Sequence, residues 1–182
     1  MWSDVKGVCA FQDADRFNRG RSPHSSDPWA PLLTLIGLVG LCLLVGAVGA
    51  SITARSVGAW YLSLAAPPGT PPNWVFPVVW SALHVTIGVA AWLVWRRADH
   101  GAALRLWGWQ LLVNAAWTPA FFGMHSPRLA LAVIIVMLLL IGLTIRAFHA
   151  IRPAAAYTLV PYLAWTCYAA YLNVGFVILN PA

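Results

Sequence analysis

Pro71–Pro72–Asn73–Trp74–Val75–Phe76–Pro77–Val78–Val79–Trp80–Ser81–Ala82–Leu83–His84 carries the chain from a stiff loop into an apolar helix. Two prolines end the loop, and an aromatic pair follows where it meets a membrane surface. Pro77 falls in the first helical turn, where its missing N–H costs little. Trp80 and His84 then stand at i and i+4 on one helical face. Each has a polar end that hydrocarbon solvates badly, so this face points inward, toward a site for a flat aromatic ligand.

The rest of the chain agrees with a membrane setting. Of its 182 residues 60% are hydrophobic and 9% charged, with a mean hydropathy of +0.73. A soluble domain is roughly half apolar and a quarter charged. Apolar runs of about 20 residues recur, each long enough to cross a hydrocarbon core as a helix. The expected class is all-α, a multi-pass bundle in one transmembrane domain over 29–182. The net charge of +6 does not imply nucleic acid, because the basic residues are dispersed rather than gathered in a stripe. Cys9, Cys42 and Cys167 have neither CxxC nor zinc-ligand spacing, and an odd count makes no disulfide framework.

Residues 1–28 are polar and aperiodic, and read as a disordered extension, with Asp27 and Pro28 as N-cap and first helical residue. The expected spans are 30–52, 76–95, 102–122, 128–148 and 154–178. The first bears a small-residue surface (Gly37, Gly40, Gly46, Gly49, Ala50) that lets helix backbones approach closely. It is too long, and its leading tail too long and acidic, for a cleaved signal peptide. The connection 53–75 is rich in proline and reads as an ordered lid. The fourth span is the most uniformly aliphatic, and is expected to face lipid or a partner subunit. Pro161 breaks the fifth.

Five spans put the termini on opposite sides. Nine basic residues (Lys6, Arg16, Arg19, Arg21, Arg96, Arg97, Arg105, Arg146 and Arg152) fall on one side and two, Arg55 and Arg128, on the other. In a bacterial cell membrane this places the N-terminus in the cytoplasm and the lid outside.

Three helices carry polar or aromatic stripes. They are Trp80, His84 and Gly88; Trp107, Gln110, Asn114, Trp117/Thr118 and Phe121; and Thr158, Pro161/Tyr162, Trp165, Ala169 and Asn173. Such stripes face the bundle interior, since an unpaired amide or imidazole in hydrocarbon is costly. Gln110 and Asn114 serve equally well as interhelical glue. Trp29, Trp60, Trp74, Trp92 and Trp95 sit where an interfacial aromatic belt forms, while Trp80, Trp117 and Trp165 lie deeper. His84 reads either as a packing histidine or as one axial ligand of a haem iron. The chain has no Glu, and no Asp lies within a span. That argues against a proton-coupled carrier, a hydrolase or a protein metal centre. An aromatic pocket with a few hydrogen-bonding groups suits a largely apolar ligand.

These motifs together resemble the translocator protein family, also called tryptophan-rich sensory proteins. The likeness runs through Trp60–Tyr61 with Pro67 and Pro71–Pro72, and through Trp74–Val75–Phe76–Pro77 with Trp80. It continues in Asn114–Ala115–Ala116–Trp117–Thr118–Pro119 with Phe121–Phe122–Gly123, and in Val160–Pro161–Tyr162–Leu163–Ala164–Trp165 with Tyr171–Leu172–Asn173. The resemblance implies a five-helix bundle, usually a homodimer, that binds tetrapyrroles such as protoporphyrin IX or haem, with no obligatory cofactor. In family terms Trp80 and Trp165 are the pocket tryptophans of porphyrin binding and light-dependent breakdown, and Asn114 and Ala169 are other pocket positions. Two departures stand out. The lid reads Ala66–Pro67–Pro68–Gly69–Thr70–Pro71–Pro72 where the family commonly has Lys-Pro-x-Trp-x-Pro-Pro, and His84 replaces a usual tyrosine. No Lys or Arg follows Tyr171, so a sterol site is not expected.

The resulting expectation is a membrane receptor or sensor for tetrapyrroles, acting in pigment metabolism. Its site comprises Trp80, His84, Asn114, Trp117, Thr118, Tyr162, Trp165 and Ala169 beneath a lid of Trp60, Tyr61 and Trp74. Enzymatic activity beyond photochemical porphyrin breakdown is not expected. The alternatives are a transporter of porphyrins or other lipophiles, and a structural membrane partner with a vestigial pocket.

Overall fold

A computed structural model of the chain describes residues 28–56 and 58–181. The expected disordered extension, the Asp27 cap and Cys9 lie outside the described residues. The chain divides after Pro31 into two units; of the first, the described part is a turn at Pro28–Trp29 and the opening of a helix.

Every regular element among the described residues is helical. Helix α1 is Ala30–Ser56, α2 is Ala59–Ser63 and α3 is Val75–Trp95. Helix α4, Gly101–Thr118, runs into a π-helical turn at Pro119–Gly123. Helix α5 is Pro127–Ile151, α6 is Pro153–Thr158 and α7 is Val160–Leu179. Four stretches, Ala30–Arg55, Val75–Trp95, Pro127–Ile151 and Pro153–Leu179, are long and apolar enough to cross a membrane. Helix α4 is the fifth long helix and is less apolar because it carries Arg105, Gln110 and Asn114. The two amides are buried within the bundle, so they lower its hydropathy without facing lipid.

The breaks between helices have local causes. Pro119 has no N–H to offer the preceding turn, and its ring crowds the Ala115 carbonyl. The backbone widens there, and the Met124 N–H donates to the Pro119 carbonyl at 2.8 Å. Ser126 caps α5 by accepting from the Leu129 N–H at 3.2 Å, with Pro127 as first residue. Pro161 sits in the first turn of α7, so the break falls just upstream at Leu159, between α6 and α7.

Three boundaries and faces differ from expectation. Helix α1 continues to Ser56, and α2 occupies part of the connection, so the lid proper is shorter than 53–75. The fourth span does not simply face lipid. Ala130, Ile134, Met137, Ile141, Thr144 and Phe148 form a buried stripe on α5, against α4 and α7. Ile135, Val136, Leu139 and Leu143 point outward. Both faces of α5 are aliphatic, so composition alone hides the periodicity that separates them.

Helix α1 meets the bundle differently. It packs sparsely, touching where glycine removes a side chain. A Cβ on Gly88 would stand 2.7 Å from the Val39 Cα, one on Gly46 would stand 3.0 Å from the His84 Nδ1, and one on Gly49 would stand 3.1 Å from the Thr118 hydroxyl. Gly88→Ala therefore drives a methyl into backbone, which cannot yield as a flexible side chain does. We expect it to destabilise the bundle by about 1–3 kcal/mol, read as a lowered Tm in detergent; an unchanged Tm would show that α1 is free to move away without cost.

Candidate binding cavity

The sparse packing of α1 leaves a cavity of about 650 Å³ between it and α3, α4 and α7. One wall is the small-residue face of α1, with Gly46, Gly49, Ala50 and Thr53. Aromatic rings form much of the rest: Phe76 and Trp80 of α3, Trp117 at the end of α4, Phe121 and Phe122 of the π-turn, and Phe176 of α7. Tyr61 and Asn73 contribute from the lid. The π-turn turns both its phenylalanines inward, and each is buried. Phe121 stacks on Trp117 with centroids 5.4 Å apart and planes 22° apart.

Of the residues expected at a site, Trp80, His84, Asn114, Trp117, Thr118, Ala169 and Tyr61 line this cavity. Four do not. Tyr162 is fully buried behind the wall, edge-on to Trp80, and its hydroxyl accepts from the Asn114 amide at 3.0 Å. Trp165 stands one ring back, edge-on to Phe76 at 6.1 Å, and its indole N–H has no partner among the described residues. Trp60 packs on Phe121 and His125. Trp74 is 68% exposed, as a residue of an interfacial belt would be.

Polar groups at the cavity wall are tied to backbone or to one another. The His84 Nδ1 lies 2.7 Å from the Trp80 carbonyl. The Trp117 indole donates to the Asn173 Oδ1 at 3.2 Å, and the Asn173 amide donates to the Pro127 carbonyl at 2.8 Å. One asparagine thus joins the ends of α4, α5 and α7. Among the described residues no Asp, Glu, Lys or Arg lines the cavity, and no cluster of His, Cys, Asp or Glu could hold a metal ion. The lid's Tyr61 is partly buried, which pushes its phenol above the ordinary range and keeps it a neutral O–H.

The lid is held by α7. Asn180 accepts from the Ala65 N–H at 2.9 Å and donates to the Ala65 carbonyl at 3.1 Å. Tyr171 donates to the Pro68 carbonyl at 3.0 Å and Tyr168 to the Gly69 carbonyl. Pro67 seats on Gly175, where any Cβ would overlap its ring, and Gly69 turns the chain at φ 83°. The sequence reading missed these clamp residues and the α1 wall. The small residues of α1 were visible as a packing surface, but nothing local marks Gly175 as the seat of a residue 108 positions earlier.

A bundle of membrane-crossing helices enclosing an uncharged, aromatic-walled cavity under a clamped loop defines a helical integral membrane protein with an internal small-molecule site. Residues 38–179 match the TspO/MBR family. The chain is 38% identical over 154 residues to the tryptophan-rich protein TspO of Chlorobaculum tepidum, covering 82% of this chain and 98% of that one. It is 37% identical over 152 residues to the tryptophan-rich sensory protein of Cereibacter sphaeroides, covering 84% and 92%. It is 34% identical over 151 residues to the translocator protein of Bos taurus, covering 80% and 88%. The chain belongs to the TspO/MBR family.

The clamp has a direct test. Replacing Tyr168 and Tyr171 together by Phe removes two hydrogen bonds worth about 1 kcal/mol each and leaves the cavity wall intact. We expect faster protease cleavage between Ala65 and Gly69; unchanged cleavage would show that Pro67 on Gly175 holds the lid unaided.

Proposed function

We propose that the protein is a membrane receptor or sensor that binds a tetrapyrrole of the protoporphyrin type in the cavity beneath the lid. The observation that carries this reading is the wall itself: Trp80, Trp117, Phe121 and Phe122 surround a space within the roughly 300–1,000 Å³ range of small-molecule sites. Aromatic faces favour a flat π-system, each stacked ring adding about 0.5–1.5 kcal/mol beyond its buried area. The uncharged wall favours a ligand whose enclosed part is apolar, because an unpaired buried carboxylate is strongly disfavoured. The propionates of a porphyrin then belong at the lid end, where Asn73 and Tyr61 stand. Asn114 and His84 supply the polar contacts at the wall.

Light-dependent breakdown of the bound porphyrin is a secondary activity of this reading, with Trp80 as the nearer redox partner and Trp165 one ring behind. A cell-membrane location with a cytoplasmic N-terminus and a homodimeric state complete it. The charge asymmetry supports the first.

Titration of the detergent-solubilised protein with protoporphyrin IX in the dark, followed by tryptophan quenching, tests the proposal. Trp80→Ala is expected to weaken binding about tenfold or more, a change of about 1.4 kcal/mol or greater, and Trp165→Ala to weaken it less. Equal losses would move the ligand toward the Trp165 side; no saturable binding by the unmodified protein would remove the tetrapyrrole reading.

A further inference from the structure

The end of the bundle remote from the lid carries an unbalanced charge. Arg96 and Arg97 follow α3, Arg105 lies in the second turn of α4, Arg146 in the last turns of α5, and Arg152 between α5 and α6. Asp99 is the one acidic side chain among the described residues, so it can balance at most one of these five. The segment ahead of Pro28 does not make up the difference, because its four basic residues, Lys6, Arg16, Arg19 and Arg21, are matched by its four aspartates.

Two of the five are placed unlike loop residues. At a rise of 1.5 Å per residue, Arg105 stands about 6 Å and Arg146 about 7–8 Å inside the ends of their helices. Both are exposed, on helices that pack side by side. Their faces are otherwise apolar. Trp109 and Leu112 follow Arg105 inward on α4, and Leu139 and Leu143 lie inward of Arg146 on α5, all four exposed. The Arg105 guanidinium turns back along α4 toward the helix end, where its Nη1 would stand 4.0 Å from a Cβ on Gly101. A long cationic side chain takes this course on a lipid-facing helix: its stem covers apolar surface and its head reaches for the polar boundary.

The anion that suits such a place has its charge at the boundary and hydrocarbon beneath it. A phospholipid phosphate meets both demands, and a free phosphate only the first. Arginine also grips phosphate oxygens as a planar fork, with two parallel N–H···O bonds, where lysine offers a point charge. We propose that this end of the bundle is a docking site for anionic phospholipid. Arg105 and Arg146 hold the phosphate, and the outward faces of α4 and α5 carry the acyl chains. The negative surface of a leaflet attracts any basic segment, but the two arginines set within helices give that attraction a fixed place. None of the residues of this site lines the cavity beneath the lid, so the inference stands apart from the tetrapyrrole reading.

The test is lipid retention by the purified full-length protein in neutral detergent micelles doped with equal amounts of phosphatidylglycerol and phosphatidylcholine, the bound lipid being counted by native mass spectrometry. Phosphatidylglycerol is expected to be enriched about tenfold over phosphatidylcholine. Arg105→Gln combined with Arg146→Gln should bring the ratio to near one. Arg55→Gln combined with Arg128→Gln, the same loss of charge at the lid end, should leave it unchanged. The comparison of the two lipids on the unmodified protein stands without either variant. Equal retention of both lipids by the unmodified protein, or a ratio that responds identically to the two pairs of substitutions, would overturn the site. Displacement of phosphatidylglycerol by excess inorganic phosphate would reduce it to a free-anion site and overturn the lipid reading.

Discussion

The structure turns on how little of α1 touches its neighbours. Val39 lies against Gly88, and Gly46 against His84, so this helix comes close at points and stands off between them. In lipid no hydrophobic force closes the remaining gap, since acyl chains solvate Leu and Val as well as a neighbouring helix does. Small residues at the points of approach decide where backbones meet, and the space left between those points is the cavity.

The other helices are held together by polar pairing. Asn114 meets Tyr162, Trp107 donates to the Ile87 carbonyl at 3.2 Å, and Asn173 joins Trp117 to Pro127. Without water at that depth each such group would otherwise stay unpaired at a cost of several kcal/mol. These pairs specify which faces of α3, α4 and α7 come together. Gln110 breaks the pattern, for both atoms of its buried amide lack a partner among the described residues.

Much of this was legible in the sequence because it is written in local chemistry. Apolar runs gave the helices; Pro77 marked a start and Pro161 a break. The stripes through Trp80, Asn114 and Trp117 identified inward faces, because a polar group at helical spacing within an apolar run has few other places to go. Where both faces of a helix are apolar, as on α5, the pattern carries little contrast, and its buried stripe was not distinguished from its outward face. Tyr162 and Trp165 share the stripe of Ala169 yet stand behind the wall, because a helical face is broader than the arc that meets a cavity. The clamp on the lid was invisible for a different reason: it joins Ala65–Gly69 to side chains about a hundred positions later, and no local signal encodes that meeting.

The clamp also bears on how freely the lid can vary. Tyr168, Tyr171 and Asn180 all address the lid's main chain, not its side chains. Pro67, fitted to Gly175, Gly69, with its positive φ, and Thr70, whose hydroxyl donates to the Pro67 carbonyl at 2.7 Å, are held to a residue type. Ala66 and Pro68 are read by none of those bonds through their side chains. A segment gripped by its backbone keeps its course while its surface chemistry drifts, so the lid can lose a cation or an aromatic ring without losing its place.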